Sequence, residues 1–309
     1  MRAMNEKFAD LGLPRRVWAV AAIHGDKERL ATLHDHLATR FSARDRLVYL
    51  GNYLGATARD NAAVVEELLA FRAALLSKPG MEPHDIVHLR GPAEEAWQRM
   101  LRLQFAPSPP QTLEKLLATG VEAWLRLYGV SLADSKTIAR ADSVAITRWT
   151  NHLRVMQRQT PGHEAFVCSM RRAAVTSRAA PQSERLLFVP AGYDATRSLE
   201  DQGDRLWYDT VGYRSASGDS SPYVRIVRGF DSLRSGIDTD GAAVTLDGGC
   251  GSGGPLVCGC FNAAGRLTEI VAVGGQGAVE SLPLEARKAP PSFEMPRRML
   301  RMEPVAVSA

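Results

Sequence analysis

The sequence predicts an α/β fold built on parallel strands, and two observations carry that prediction. In the first third, short continuous apolar runs alternate with segments of helical period. Strand-helix-strand order of this kind implies parallel strands joined by right-handed crossovers. From residue 164 onward the pattern changes to short strands divided by Gly, Ser and Pro clusters, so sheet structure continues with few helices.

Residues 17–23 form an unbroken apolar run, as expected of a strand buried on both faces. Residues 26–40 then place Leu30, Leu33, Leu37 and, just beyond, Phe41 at helical spacing. Residues 47–50 read as a second strand, and Asn61–Leu76 as a second helix with Val64, Val65, Leu68, Leu69 and Phe71 inward. Residues 86–89 are the third strand, and residues 93–103 the third helix. Pro107, Pro109 and Pro110 break the pattern, after which residues 113–128 and, more weakly, 149–156 look helical. The stretch 104–160 is therefore expected as a helical insertion packed on the sheet. Strands are expected at residues 166–169, 173–176, Leu186–Val189, 224–227, 242–246, 256–261 and Leu267–Val273.

The chain has 309 residues, 45% hydrophobic and 23% charged, an ordinary globular composition, and residues 1–280 are expected to form one domain. The net charge of +4 owes much to Arg287, Lys288, Arg297, Arg298 and Arg301, in a stretch that also holds Pro283, Pro290, Pro291, Pro296 and Pro304. Residues 281–309 are accordingly expected to be a disordered basic tail. No basic stripe interleaved with aromatics points to nucleic acid. Four cysteines are too few for a disulfide framework in a chain this long. Cys258 and Cys260, two apart on a strand, share a face and read as buried thiols rather than zinc ligands. The N-terminal residues lack the apolar core of a signal peptide, and no apolar run approaches the roughly 18 residues of a membrane span. The expected location is therefore the cytoplasm.

Ligands bind at the carboxyl ends of strands in such sheets, and the loops there form recognisable blocks. The first strand ends Ala21-Ala22-Ile23-His24-Gly25-Asp26, the second Leu50-Gly51-Asn52-Tyr53-Leu54-Gly55, and the third Leu89-Arg90-Gly91-Pro92-Ala93-Glu94. Later come Phe188-Val189-Pro190-Ala191-Gly192, Ile226-Val227-Arg228-Gly229-Phe230-Asp231, and the ending Thr245-Leu246-Asp247-Gly248-Gly249. In this order the chain resembles the calcineurin-like metallophosphoesterases of serine/threonine-phosphatase type. Their blocks read G-D-x-H-G, G-D-Y-V-D-R-G, R-G-N-H-E, F-V-H-A-G and V-H-G-H-T. The resemblance spans residues 17–275 and implies a four-layer α/β/β/α sandwich, with two mixed sheets and the helical insertion over the strand ends.

It also implies chemistry this chain is not equipped to perform. The family's reaction uses two divalent ions about 4 Å apart, held by carboxylates, one of them bridging, with imidazole and amide ligands. Ala22 stands where the first Asp ligand belongs, Asn52 replaces the bridging Asp, and Pro92 replaces the Asn ligand. Ala93 replaces the His that protonates the leaving group, while Gly55 and Ala56 replace its orienting Asp and the phosphate-binding Arg. Pro190, Arg228 and Phe230 replace the remaining histidines. Arg228 would set a permanent positive charge against any cation there. Of the first block's ligands only His24 survives. The expectation is a metal-free pseudophosphatase acting as a binding or regulatory protein toward a protein partner or a phosphorylated small ligand. Its vestigial pocket comprises His24, Asn52, Arg90, Glu94, Arg228 and Asp231. Arg228 is expected either to bind phosphate weakly, with Arg90 and His24 near it, or to pair with Asp231 or Glu94 as a plug. The enzyme alternative, a phosphoesterase with a rebuilt site, would have His24, Asn52, Glu94, Asp194 and Asp231 as ligands.

Two further motifs carry less. Residues 249–254 match G-x-G-x-x-G, but residues 255–261 are strand-like, whereas a dinucleotide fingerprint opens a helix. Residues 251–258 resemble the nucleophile loop of trypsin-like proteases, with Gly251 where Asp is expected before Ser252. A serine hydrolase using Ser252 is therefore a remote alternative, since no sequence signal brings His24 and an Asp to it.

Overall fold

A computed structural model describes residues 7–56, 61–177, 185–208, 212–213, 221–284 and 287–288. In chain order its strands and helices are β1 (Phe8–Asp10), β2 (Arg16–Val20), α1 (Lys27–Ala38), β3 (Asp45–Tyr49), α2 (Asn61–Leu76), β4 (Ile86–His88) and α3 (Pro92–Leu101). Next come α4 (Pro109–Leu117), α5 (Glu122–Leu127), α6 (Leu132–Ile138), α7 (Ser143–Gln159) and α8 (His163–Ser169). The last stretch holds β5 (Ala173–Val175), β6 (Leu186–Val189), α9 (Arg205–Tyr208), β7 (Arg225–Arg228), β8 (Ile237–Asp238) and β9 (Ala243–Thr245). It closes with β10 (Leu256–Asn262), β11 (Leu267–Val273), β12 (Val279–Leu282) and β13 (Arg287–Lys288).

These strands form two mixed sheets. One runs β12-β11-β10-β2-β3-β4, with β2, β3 and β4 parallel and β10, β11 and β12 joined antiparallel. The other runs β1-β5-β6-β7-β9-β8-β13, with β6, β7 and β9 parallel at its centre. Because successive strand side chains point to opposite faces, each central strand contributes to two cores. Val17, Ala19, Val48 and Val257 face the second sheet's Leu186, Phe188, Val227 and Val244 in a core between the sheets. Trp18, Val20, Leu47, Tyr49, Cys258 and Cys260 turn the other way, under the helices. The two cysteines thus share a face, as their spacing predicts, and all four cysteines are unpaired. On the far side of the second sheet, Leu187, Val189 and Ile226 are covered by α9 and its flanking loops through Leu206, Trp207 and Tyr213. This is the α/β sandwich of two mixed sheets that the resemblance implies.

Residues of the insertion, among them Leu113, Leu116, Trp124, Ile146 and Leu153, are buried in the same core as α1, α2 and the first sheet. Trp97 of α3 stacks on Trp124 and Tyr128, with ring centroids 5.7 and 5.2 Å apart. No helix among the described residues is long and apolar enough to cross a membrane.

Two expectations are corrected. Residues 166–169 end α8 instead of forming a strand. His163, Phe166, Val167 and Met170 are buried at helical spacing, and a short apolar run by itself does not separate a strand from a buried helix. The extended structure also continues past residue 280. Val279–Leu282 pairs with β11, and Arg287–Lys288 pairs with β8. The first is an edge strand with its side chains largely exposed, so no hydrophobic pattern announces it. The rest of the expected tail, residues 289–309, lies outside the described residues.

Candidate functional site

The strand-end blocks meet at one end of the sandwich through their own backbone. The N–H groups of Ile23 and His24 donate to the Asn52 carbonyl (3.0 and 2.9 Å), which ties the first block to the second. Ala22 N–H donates to the Gly229 carbonyl (3.0 Å), and Gly229 and Phe230 N–H both reach the Pro190 carbonyl (3.3 and 3.1 Å). Asp231 N–H donates to a carboxylate oxygen of Asp247 (2.9 Å), which joins the closing segment to the fifth block. The packing is close enough to exclude side chains: a Cβ on Gly229 would lie 2.4 Å from Leu50 Cβ.

Glu94 ties the second and third blocks. It occupies the third position of α3, just after Pro92, and its buried carboxylate accepts N–H groups from Gly91 (2.8 Å), Asn52 (2.9 Å) and Tyr53 (3.2 Å). Burial raises its pKa, and these N–H donors work against that rise. The junction leaves no room for a methyl group. A Cβ on Gly91 would sit 2.6 Å from both Asn52 Oδ1 and Glu94 Oε2. Gly91→Ala is expected to cost about 2 kcal/mol in urea unfolding, within the range for overpacking a fixed core. A loss below about 0.5 kcal/mol would show the junction to be soft.

His24 and Asn52 both hold left-handed backbone, at φ 49° and 58°. Side chains other than glycine rarely adopt that region, and such strain gathers where a fold fixes a site. A small hollow beside them is lined by His24, Phe230, Arg234, Asp247, Cys250 and Ser252. The His24 ring meets Phe230 edge-on at 5.4 Å. Burial lowers the His24 pKa and Arg234 adds to that, while Asp247 opposes it. Asp247 is raised by burial, against N–H donors from Asp231 and Gly249. Asp247, Arg234 and Cys250 are not among the site residues the sequence points to. Asp247 does lie in the closing segment that belongs to the resemblance, and that is its one signal.

Arg228 is sealed rather than open. Its side chain is 2% exposed, and its guanidinium lies 3.0 Å from the fully buried carboxylate of Asp231. Its Nε donates to Thr245 Oγ1 (2.9 Å), another nitrogen reaches the Ala191 carbonyl (3.3 Å), and the cation lies 4.2 Å from the centre of the Tyr213 ring. Of the two roles expected for Arg228, this geometry matches the plug, with Asp231 and not Glu94 as the partner. Arg90 lies elsewhere on the rim, against Glu95 and Gln98. Asp194 is held by Arg197 and Arg205.

The family resemblance implies two metal ions, and the residues present do not fit them. The carboxylates of Glu94 and Asp247 accept backbone N–H groups, and Asp231 is paired with Arg228. Asn52 is buried and neutral, so it offers a cation one amide oxygen at most and no bridging charge, and its Nδ2 group lacks a partner among the described residues. Among the described residues no three His, Cys, Asp or Glu side chains are placed to hold a metal ion. Ser252 shares the hollow with His24 and Asp247, a proximity no sequence signal gave. Yet both Asp247 oxygens accept backbone N–H groups, and no hydrogen bond links Ser252 to His24 among the described residues.

Neither family models nor curated proteins give a match to this chain. Among solved structures, the chain is similar to a candidate diadenosine tetraphosphatase at 17% identity and a TM-score of 0.46, over 90% of this chain and 97% of that one. It is also similar to a serine/threonine phosphatase from Saccharomyces cerevisiae, itself similar to human phosphatase PP5. There the identity is 11% and the TM-score 0.44, over 94% of this chain and 85% of that one. Likeness at this level says nothing of activity, so the functional reading rests on the residues of the site.

Proposed function

We propose that this chain is a metallophosphoesterase-like protein without metal-dependent catalysis, a pseudophosphatase that acts as a binding or regulatory protein in the cytoplasm. The observation that carries this reading is the buried Arg228–Asp231 pair, at the strand end where the resemblance calls for metal-ligating histidine. A guanidinium keeps its charge at every accessible pH. A cation seated beside it would face repulsion at low dielectric, and Asp231, the nearest carboxylate, is already neutralised. The glycine junctions that bring the blocks together are intact, which supports a scaffold kept for binding. Its occupant would be a protein partner or a phosphorylated small ligand.

The test is elemental analysis of purified protein by mass spectrometry, together with p-nitrophenyl phosphate hydrolysis in added manganese. The expected result is less than a tenth of a metal equivalent of manganese, iron, zinc or magnesium per chain, with no turnover above buffer. Two equivalents of metal, or turnover abolished by His24→Ala, would favour the rebuilt phosphoesterase and end this reading. Turnover of an ester, without metal and lost in Ser252→Ala, would favour the hydrolase.

A further inference from the structure

Arg90 belongs to a second basic cluster, on the rim of the joined strand ends and apart from Arg228. Its carbonyl accepts the indole N–H of Trp207, from α9, at 2.8 Å. Two more arginines lie against that same indole: Arg99 of α3 at 5.8 Å from the ring centre, and Arg172, just before β5, at 4.9 Å. Arg172 is further held by the Gly203 carbonyl. Arg171 is fixed beside Arg90 by backbone, since Arg90 N–H donates to the Arg171 carbonyl (2.8 Å). Arg102, exposed at the end of α3 and three residues after Arg99, adds its positive charge to the field on Arg90. Arg172, Arg102 and Arg171 all act on Arg90 to lower its pKa, after burial itself, while Glu95 opposes them.

Carboxylates do not balance this charge. Glu95 lies 3.3 Å from Arg90 and 3.0 Å from Arg99, and Asp204 pairs with Arg99. Five arginines thus share two carboxylates, both engaged with Arg99, and the guanidinium of Arg171 turns to the carbonyls of Ser169 and its neighbours. Among the described residues, Arg102, Arg171 and Arg172 have no carboxylate partner. The hydrogen bonding is incomplete as well: Arg90 Nε and Arg172 Nε are buried without an acceptor among the described residues. Buried donors in folded proteins are nearly always matched. Glu95 Oε2, 3.3 Å from Arg90, also lacks a hydrogen bond, but the cations outnumber it, and unmatched donors amid excess positive charge suit an oxyanion. Guanidinium forks suit the tetrahedral oxygens of phosphate, and a tryptophan face holds them in place without competing for hydrogen bonds.

We propose that this cluster binds a phosphate-bearing ligand, contacted by Arg90, Arg102 and Arg172 and walled by Trp207. The site is separate from the Arg228 plug and does not depend on whether the chain hydrolyses anything. A phosphorylated small molecule and a phosphorylated peptide present the same chemistry to it.

The full chain would be titrated with inorganic pyrophosphate by calorimetry and by tryptophan fluorescence, then with a phosphoserine peptide and its unphosphorylated twin. The expected result is one pyrophosphate per chain, with affinity that falls as salt rises. Arg102→Gln, an exposed change that spares the fold, should weaken binding about 10-fold through loss of one charge-assisted contact. Arg172→Gln should weaken it at least as much, with its melting temperature measured alongside. Preference for the phosphoserine peptide over its twin would make the source a protein, and pyrophosphate binding alone would make it a small ligand. No binding of millimolar pyrophosphate by the wild-type chain, or unchanged affinity in both variants, overturns the proposal. Metal analysis leaves this outcome untouched, so the two readings fail separately.

Discussion

Asp231→Asn is expected to lower the unfolding free energy by about 3 kcal/mol, because it strands a charge that has nowhere to go. Arg228 is 2% exposed and Asp231 fully buried, so solvent does little to screen the pair. Its other contacts are the Thr245 hydroxyl, the Ala191 carbonyl and the Tyr213 ring, all neutral. A guanidinium cannot shed its proton to escape, as a lysine could. Asparagine keeps the shape of the side chain but one acceptor oxygen only, whereas Leu233 and Ser235 N–H groups donate to different oxygens of Asp231, so the loss combines the stranded charge with one forfeited backbone hydrogen bond. Removing both charges should behave differently. Arg228→Met with Asp231→Asn takes away the cation together with its partner, and buried pairs replaced by neutral groups are often nearly neutral in stability. The double variant should therefore recover most of the loss in urea unfolding. Added phosphate should not rescue Asp231→Asn, because the guanidinium is sealed from solvent. A loss below about 1 kcal/mol in the single variant, or rescue by phosphate, would mean that Arg228 is an open anion site rather than a plug.

The layers of this fold were legible because an unbroken apolar run such as residues 17–23 marks a strand buried on both faces, and because the strand-end blocks resemble a known sandwich. Val17 and Ala19 against Trp18 and Val20 already divide one strand between two cores. The meeting of the strand ends was legible only through the resemblance of their blocks, and the structure adds that Gly91 and Gly229 within them lie where no Cβ fits. The limits are equally physical. Phe166 and Val167 form an apolar pair that a strand or a helix could bury, and only His163 and Met170, with the packing around them, decide for a helix. Arg228 and Asp231 stand three residues apart, which allows a contact without requiring one. Glu94 was an equal candidate by sequence, but its carboxylate is taken by three backbone N–H groups. The hollow of His24, Asp247 and Ser252, like the Trp207 arginine cluster, joins segments more than 100 residues apart in sequence, and no local pattern encodes such proximity.

A second large effect is expected from acid. His88 on β4 is 2% exposed, stacked on Tyr49 with ring centres 4.9 Å apart and edge-on to Phe166 at 5.1 Å. Its Nε2 has no hydrogen-bond partner among the described residues. Burial, helped by the positive charge of Arg72 and by His34, pushes its pKa down to about 3. In the unfolded chain the same imidazole titrates near 6.5. Above that value it is neutral in both states and stability owes nothing to its titration. Between about 6.5 and about 3 the unfolded chain binds a proton that the folded chain refuses, so stability falls as the pH falls. The slope is about 1.4 kcal/mol per pH unit from this one group, or about 2 kcal/mol lost by pH 5. His34 and His163 are also held below their ordinary values by burial and add in the same direction. His88→Phe should keep the stacked aromatic geometry and delete the titration. Some overpacking will shift its absolute stability, so the quantity to read is the slope of unfolding free energy between pH 7 and pH 5. The variant should be flatter than wild type by close to one proton's worth. Parallel slopes would place His88 in a wetter and more polar setting than the Tyr49 stack provides.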